Sequence, residues 1–547
     1  MIRPLVVTLA ALILAWPILP AAAQTPDPQF DACKNGNPEI SLGGCSQVIR
    51  SGRYSGQSLA NAFYNRGMAH RKLRDYPASI ADFTQGIKLW TRDADFYDQR
   101  GESYRLNGDL DLALADTDQA VRMNPRSATY LLTRASVRSA KGMRAEALAD
   151  YTQAIKLEPR NKYAYNNRGI AYENKDDFDL AIADYARATE LDPQYVAAWV
   201  NLGDAWRKKG NQDQATGNYA RAIALNPRSH EAYVGRGISY KNKGDYPNAL
   251  ADYTRAIELN PKNATAFNNR GIVYELQQDH ERAIADYSDA IPINPRYAIA
   301  YRNRGDALRA KGETDRAHAD YDQAIRIDGR MITAYNGRGN TNFDKKLYDL
   351  ALVDFEQAIV LAPNDPVLLR NRGLTYHRKK LYDLALQSYD AAIALNPQYT
   401  DALRSRSITY EDKGQWDRAV MDLITVAALE PEKAATWNSL CWARAVAGQL
   451  DDALRDCNQA LKLRPDFASA LDSRGFVALK QKRYDAALAD YDAALRLQAD
   501  YAYALYGRSV VKRTQGDSAG AESDLQKART QDSMIVETFT RYGIAPP

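Results

Sequence analysis

A pattern of small residues recurs every 34 positions along most of the chain. Gly67, Gly101, Ala135, Gly169, Gly203, Gly237, Gly271, Gly305, Gly339, Gly373, Ser407, Cys441, Gly475 and Ser509 are each 34 residues from the next, so fourteen units follow one another without an insertion or deletion. A fixed period of this length excludes most globular folds. It confines the chain to architectures in which one supersecondary unit is stacked on copies of itself.

If the Gly67 column is numbered position 8, the first unit begins at Ala60 and each column acquires a physical role. Position 4 is large (Phe63, Tyr97, Tyr165, Trp199), and position 11 is often Tyr. Position 20 is Ala (Ala113, Ala181, Ala283), position 24 is aromatic in most units (Phe83, Tyr151, Tyr185, Tyr253), and position 32 is Pro in ten. Positions 4, 8 and 11 share one face of a helix, and positions 20, 24 and 27 share one face of a second. Turns such as Lys243–Tyr246 separate the two helices, and the proline stops the second. Counting outward from the turn, position 8 is expected to meet position 20, and position 4 to meet position 24. The excess of tyrosine over phenylalanine, 35 to 11, lies largely in these columns. A single hairpin cannot bury both of its faces, so the hairpins are expected to stack into an all-α solenoid.

These columns resemble the tetratricopeptide repeat: large-x3-Gly-x2-Tyr, then Ala-x3-Phe/Tyr-x2-Ala and Pro, over 34 residues. The resemblance covers residues 60–535 and implies a right-handed superhelical solenoid of 14 tandem helix-turn-helix repeats. It also implies a concave groove lined mainly by the first helix of each pair, at positions 2, 5, 6, 9, 12 and 13. Departures are local. Gly329, Ala499 and Ser533 replace the proline, and position 7, usually Leu in the family, is Arg in twelve units.

That Arg column faces an Asp column at position 23, also filled in twelve units, and in the fifth unit both are lost together, to Leu202 and Asn218. The pattern predicts a ladder of Arg–Asp pairs that sets stacking register. The alternative, an anion-binding Arg stripe, is disfavoured because the aspartates neutralise it.

The chain opens "MIRPLVVTLAALILAWPILPAAAQ", with Arg3, an apolar run broken by Pro17, and a small-x-small site at Ala21 and Ala23. This pattern predicts a bacterial signal peptide at residues 1–23 and a mature protein in the periplasm or outside the cell. No other stretch is apolar enough to span a membrane, so no membrane insertion is expected after cleavage. Residues 24–59 then form a degenerate cap repeat, and residues 536–547 a C-terminal cap helix and tail. In an oxidising compartment the four cysteines pair naturally as Cys33 with Cys45 and Cys441 with Cys457. The first pair falls at positions 8 and 20 of the degenerate repeat. The second falls at positions 8 and 24, a less well matched pair on this reading, which leaves buried free thiols open.

Chemistry is hard to place on this chain. The five histidines fall at unrelated repeat positions, and no phosphate loop, nucleophile elbow or zinc signature is present. No catalytic residue, cofactor or metal is expected. A net charge of +4 on 72 basic and 68 acidic residues gives no reason to expect nucleic acid.

Function should therefore reside in a surface. Position 6 carries Asn65, Asn167, Asn201, Asn269, Asn303 and Asn371. A carboxamide both donates to and accepts from a peptide backbone. The column resembles the asparagine ladder with which some tetratricopeptide grooves hold an extended chain, or else it is a tolerant exposed face copied by duplication. Position 9 and its neighbours are basic in early units (Arg71, Lys72, Arg207) and apolar in late ones (Phe343, Leu374, Ile408, Trp442, Phe476). The apolar run is either a binding patch or is buried against neighbouring helices and the C-terminal cap. The family's carboxylate clamp, with Lys at position 5, is absent. The expected partner, held by a non-catalytic scaffold, is an extended peptide or protein, or a component of an envelope assembly. Two alternatives are an accessory subunit of an envelope enzyme or polysaccharide export machine, and a glycan- or peptidoglycan-binding protein.

Overall fold

The structure is a computed structural model that describes residues 28–546. The expected signal peptide and its cleavage site lie outside these residues. Every regular element among the described residues is a helix. The chain divides into two compact units, one ending at Pro261 and the other beginning at Lys262. The first unit holds two N-terminal helices, Pro28–Cys33 and Pro38–Arg50. Six helix pairs follow, from Gly56–Lys72 with Tyr76–Leu89 to His230–Asn242 with Tyr246–Leu259. The second unit holds eight pairs, from Ala264–Leu276 with His280–Ile293 to Ala502–Thr514 with Ser518–Gln531, and ends in the helix Ile535–Arg541.

The turn inside each pair shows why the sequence breaks there. Position 15 has a positive φ in all fourteen repeats: eight are Gly, such as Gly244 at 78°, and six are not, such as Asp176 and Lys482 at 61°. In the sixth repeat Asp245 follows and caps the second helix by accepting from the Asn248 amide, with Pro247 in the first turn. Asn260 and Pro261 end that helix.

Packing extends the facing expected from counting. The small residue at position 8 lies beside position 20, where the Ser79 hydroxyl donates to the Gly67 carbonyl at 2.8 Å and Cys33 is bonded to Cys45, and it also lies against the ring at position 24. A Cβ added at Gly169 would stand 2.7 Å from the Tyr185 ring, and one at Gly237 2.8 Å from Tyr253. The rings at Tyr185, Tyr219, Tyr253, Tyr287, Tyr321, Tyr389 and Tyr491 are the largest fully buried side chains of their repeats. The ring at position 24 is long enough to reach the level of position 8, a contact that counting levels from the turn does not show. Several of these tyrosines reach through to the far rim of the first helix. The Tyr185 hydroxyl donates to Glu173 at 2.7 Å, and Tyr219 and Tyr321 donate to Asp204 and Asp306, each at 2.7 Å.

The facing of positions 8 and 24 also accounts for the second disulfide. Cys441–Cys457 occupies the Gly–ring pair of its repeat, and Cys33–Cys45 closes the N-terminal helix pair. Two disulfides point to a non-cytoplasmic, oxidising compartment. No helix among the described residues is long and apolar enough to cross a membrane.

The Arg–Asp ladder forms and reaches further than the two columns suggested. Eleven arginines at position 7 grip the aspartate at position 23 with Nε and Nη2; Arg100 does so on Asp116 at 2.7 and 2.8 Å. In most repeats the remaining Nη1 crosses to position 25 of the preceding repeat. Arg100 donates to Thr84 at 3.1 Å, Arg304 to Ser288 at 3.1 Å and Arg508 to Asp492 at 2.7 Å. One guanidinium thus joins three helices. Where the column breaks, the structure compensates. Leu202 is buried in the fifth repeat and Asn218 turns to its own backbone at Gln214. In the twelfth repeat, with Leu440 at position 7, Arg444 reaches Asp456 at 2.7 Å from position 11. In the tenth, Arg372 meets Ser388 instead of an aspartate.

Candidate functional site

Within each unit every helix packs on the next along the chain, and first helices of neighbouring repeats also touch, as Ala434–Ala447 touches Ala468–Lys480. Second helices of neighbouring repeats make no comparable contact among the described residues. Each unit is therefore tighter on the side of its first helices, and the side chains projecting there form a continuous face.

Position 5 runs along the floor of that face. It varies more than any core column: Asp98, Asn166, Asn268, Arg302, Asn336, Arg370, Arg404, Asn438, Asp472 and Tyr506 all stand there. Fifteen buried side-chain atoms among the described residues lack a hydrogen-bond partner, and six belong to this one column: Asp98 Oδ1, Arg370 Nε, Asn438 Oδ1, Asp472 Oδ1, Tyr506 Oη, and Arg302 Nε, which is ion-paired with Asp306 at 3.0 Å. Buried polar atoms are ordinarily paired, so a run of unpaired ones at a single repeat position marks a surface prepared for something else. Sequence reasoning named position 5 only for its missing Lys. The signal it overlooked was the mixture of acid, base and amide at a position next to the large apolar column at position 4.

The asparagine column is less free than a peptide ladder requires. Asn201, Asn303 and Asn371 each donate their Nδ2 to the position-5 asparagine of the preceding repeat, at 2.9, 3.0 and 3.0 Å on Asn166, Asn268 and Asn336. Asn303 and Asn371 are buried, and Asn65, Asn167 and Asn269 are half-buried. In these repeats positions 5 and 6 form one carboxamide network that stitches first helices together along the floor.

The late apolar residues separate into two groups. Phe476 is fully buried. It lies 4.9 Å from the Trp442 ring and 5.8 Å from Phe539 of the C-terminal helix, so it belongs to the core and not to an open patch. Leu479 is buried with it. The cause is the segment after the last repeat, whose Phe539 and Tyr542 fold onto the first helices; Lys480 Nζ donates to the Ala445 and Tyr542 carbonyls at 3.0 and 3.3 Å. Trp442, Leu374 and Phe343 stay half-buried, Phe343 against Tyr348 at 5.6 Å, and Ile408 is exposed.

Trp442 leads into a cavity of 350 Å³ enclosed by the eleventh to fourteenth repeats. Its lining draws on positions 2, 5, 6, 9 and 12 of successive first helices: Arg404, Ile408, Glu411, Asn438, Ser439, Trp442, Ser469, Asp472, Ser473 and Tyr503, with Tyr501 from the preceding loop. Tyr542 stands edge-on to Trp442 at 5.3 Å and to Trp416 at 5.8 Å beside it. Burial pushes the Asp472 carboxyl up to about 8, opposed only in part by a hydrogen bond from Tyr501. Burial also pushes Glu411 up to about 7, helped by neighbouring Asp412. In the first unit burial likewise raises Asp98 to about 7, with Glu102 adding to the shift and Arg71 opposing it. No group of three or more potential metal ligands occurs among the described residues.

With this geometry in view, the comparisons with known proteins fall into place. The tetratricopeptide repeat family matches at residues 64–131, 234–298, 302–366, 355–400 and 474–533, more than half of the chain, and a second description of the same repeat matches 163–195. The chain belongs to the tetratricopeptide repeat family, a protein-interaction scaffold whose members bind proteins or peptides. No curated protein matches it. Among solved structures, it is similar to the APC/C hetero-tetramer Cut9-Hcn1 at 15% identity and a TM-score of 0.42, covering 88% of this chain and 98% of that one. It is similar to a tetratricopeptide repeat protein from Parabacteroides merdae at 22% identity and a TM-score of 0.39, covering 45% and 98%. It is also similar to YrrB, described as a TPR protein with an unusual peptide-binding site, at 26% identity and a TM-score of 0.30, covering 36% and 97%.

Proposed function

We propose that the protein is a non-catalytic scaffold of the periplasm or extracellular space that holds an extended segment of a partner protein along the face of its first helices. The observation that carries this reading is the position-5 column, which presents unpaired buried donors and acceptors in the second, tenth, twelfth, thirteenth and fourteenth repeats. An extended polypeptide offers backbone and side-chain groups at regular spacing, which is the chemistry such a floor can satisfy. The two disulfides and the leader pattern support the compartment. An envelope protein is the partner that such a compartment supplies.

The test places a photoreactive residue at Asn269, at Ile408 and, on the outer side of a second helix, at Val360, which is 74% exposed. Crosslinking in living cells is expected to give one shared partner at the two first-helix positions and none at Val360. Equal labelling at Val360, or no adduct at Asn269 and Ile408, would refute the assignment of this face.

A further inference from the structure

The cavity beside Trp442 is built for a particular chemistry. The buried atoms in its lining that lack a partner are all acceptors. Asp472 Oδ1, on a side chain only 2% exposed, has no partner, and Asn438 Oδ1 is also buried and unpaired. The Glu411 carboxyl lines the same space, and the one charged neighbour acting on it is another acid, Asp412. Arg404 is the single basic side chain in the lining, and it is already engaged: its Nη2 bonds Glu430 and, at 2.7 Å, the Thr436 hydroxyl. The walls between these acceptors are aromatic, with Trp442 and Tyr503 edge to face at 5.9 Å. Two carboxyls without a cation, an amide oxygen without a donor and two π faces together define a receptor for an organic cation.

We propose that this cavity receives the cationic head of one basic side chain, a lysine ammonium or arginine guanidinium, of the extended polypeptide held along the first helices. The inference rests on the peptide-holding reading above and names its anchor. The head sits between Glu411 and Asp472, with Asn438 Oδ1 as a further acceptor and the Trp442 and Tyr503 rings against its stem. The cavity opens on the same face as the position-5 floor, so a side chain can enter while its backbone follows that floor. Burial raises both the Asp472 and Glu411 carboxyls in the empty site, and an entering cation favours their ionised forms.

The experiment uses the mature full-length protein and a library of blocked random dodecapeptides. Lys or Arg is expected to be enriched at one position of the bound peptides, and the enrichment to vanish in Asp472→Asn and in Glu411→Gln. With the best single peptide, Lys→norleucine is expected to weaken binding at least about tenfold, and no further loss is expected when it is combined with Asp472→Asn. Glu411 is more exposed than Asp472, so Glu411→Gln provides the readout if Asp472→Asn alters the fold; the melting transition of each variant checks this. Peptides bound without a basic preference, or with a preference that both variants retain, would overturn the inference while leaving the peptide-holding reading intact. No peptide bound by the parent protein would overturn both. Spermidine, or a β-linked tetrasaccharide, saturating the site in preference to basic peptides would replace the proposed occupant with a polyamine or a glycan.

Discussion

The Arg–Asp ladder yields the sharpest quantitative test, and the eighth repeat is the place to make it. Arg304 donates to Asp320 through Nε and Nη2, both at 2.7 Å, and through Nη1 to Ser288 of the preceding repeat at 3.1 Å. The two side chains are 21% and 8% exposed, so the pair is largely withdrawn from water. Asp320→Asn keeps one acceptor but removes the charge and one of the two bonds, leaving a half-buried guanidinium undercompensated. A charge-assisted bond in such a setting is worth ~1.5–3 kcal/mol, and the loss should fall in that range. Arg304→Met with Asp320→Leu removes both charges at once and should cost less than either single change, because no charge remains stranded. The double-mutant cycle should return a coupling of about 1–3 kcal/mol. Stability in a repeat array is local, so the assay is hydrogen exchange read over Ala298–Ala310 and Thr314–Ile327. A loss of ~2 kcal/mol speeds exchange there about 30-fold. A coupling below ~0.5 kcal/mol, the range of exposed surface pairs, would refute the argument that burial gives the ladder its strength.

Three further outcomes follow from the same structure. Replacing Cys441 and Cys457 with serine opens a crosslink of sequence separation 16 and should cost about 3 kcal/mol, whereas Cys441→Gly with Cys457→Tyr restores the Gly–ring pair of the other repeats and should recover part of it; urea midpoints of the two doubles would decide, and equal midpoints would contradict the facing of positions 8 and 24. Gly169→Ala puts a methyl 2.7 Å from the Tyr185 ring and should destabilise the fourth repeat by ~1–3 kcal/mol, measured by exchange in Lys162–Glu173. Burial raises the Asp472 carboxyl from 3.8 to about 8, so between those pH values the folded protein retains a proton that the unfolded chain has released, and stability falls as pH rises through that window; Asp472→Asn should flatten this slope and melt a few degrees above the parent near pH 8, and parallel melting curves from pH 5 to pH 9 would rule the shift out.

The sequence by itself determined the period, the helix pairs, their turns and the partners within a repeat. Each of these is local and is written fourteen times, so errors in one copy are averaged by the others. The pairing of Arg100 with Asp116, the joint loss at Leu202 and Asn218, and the cysteine pairs were all legible for that reason. What the tertiary structure decided lies in how helices cross and stack. Packing laid the Tyr185 ring over Gly169, a contact added to the position-20 neighbour that counting from the turn supplies. Stacking sent Arg304 Nη1 to Ser288 and the Asn303 amide to Asn268, turning columns read as surface into joints between repeats. The segment after the last repeat has no period to read, yet its Phe539 and Tyr542 bury Phe476 and pack against Trp442 beside the cavity. That cavity gathers side chains from four repeats; no single repeat contains it, because its shape depends on contacts between residues far apart in the chain.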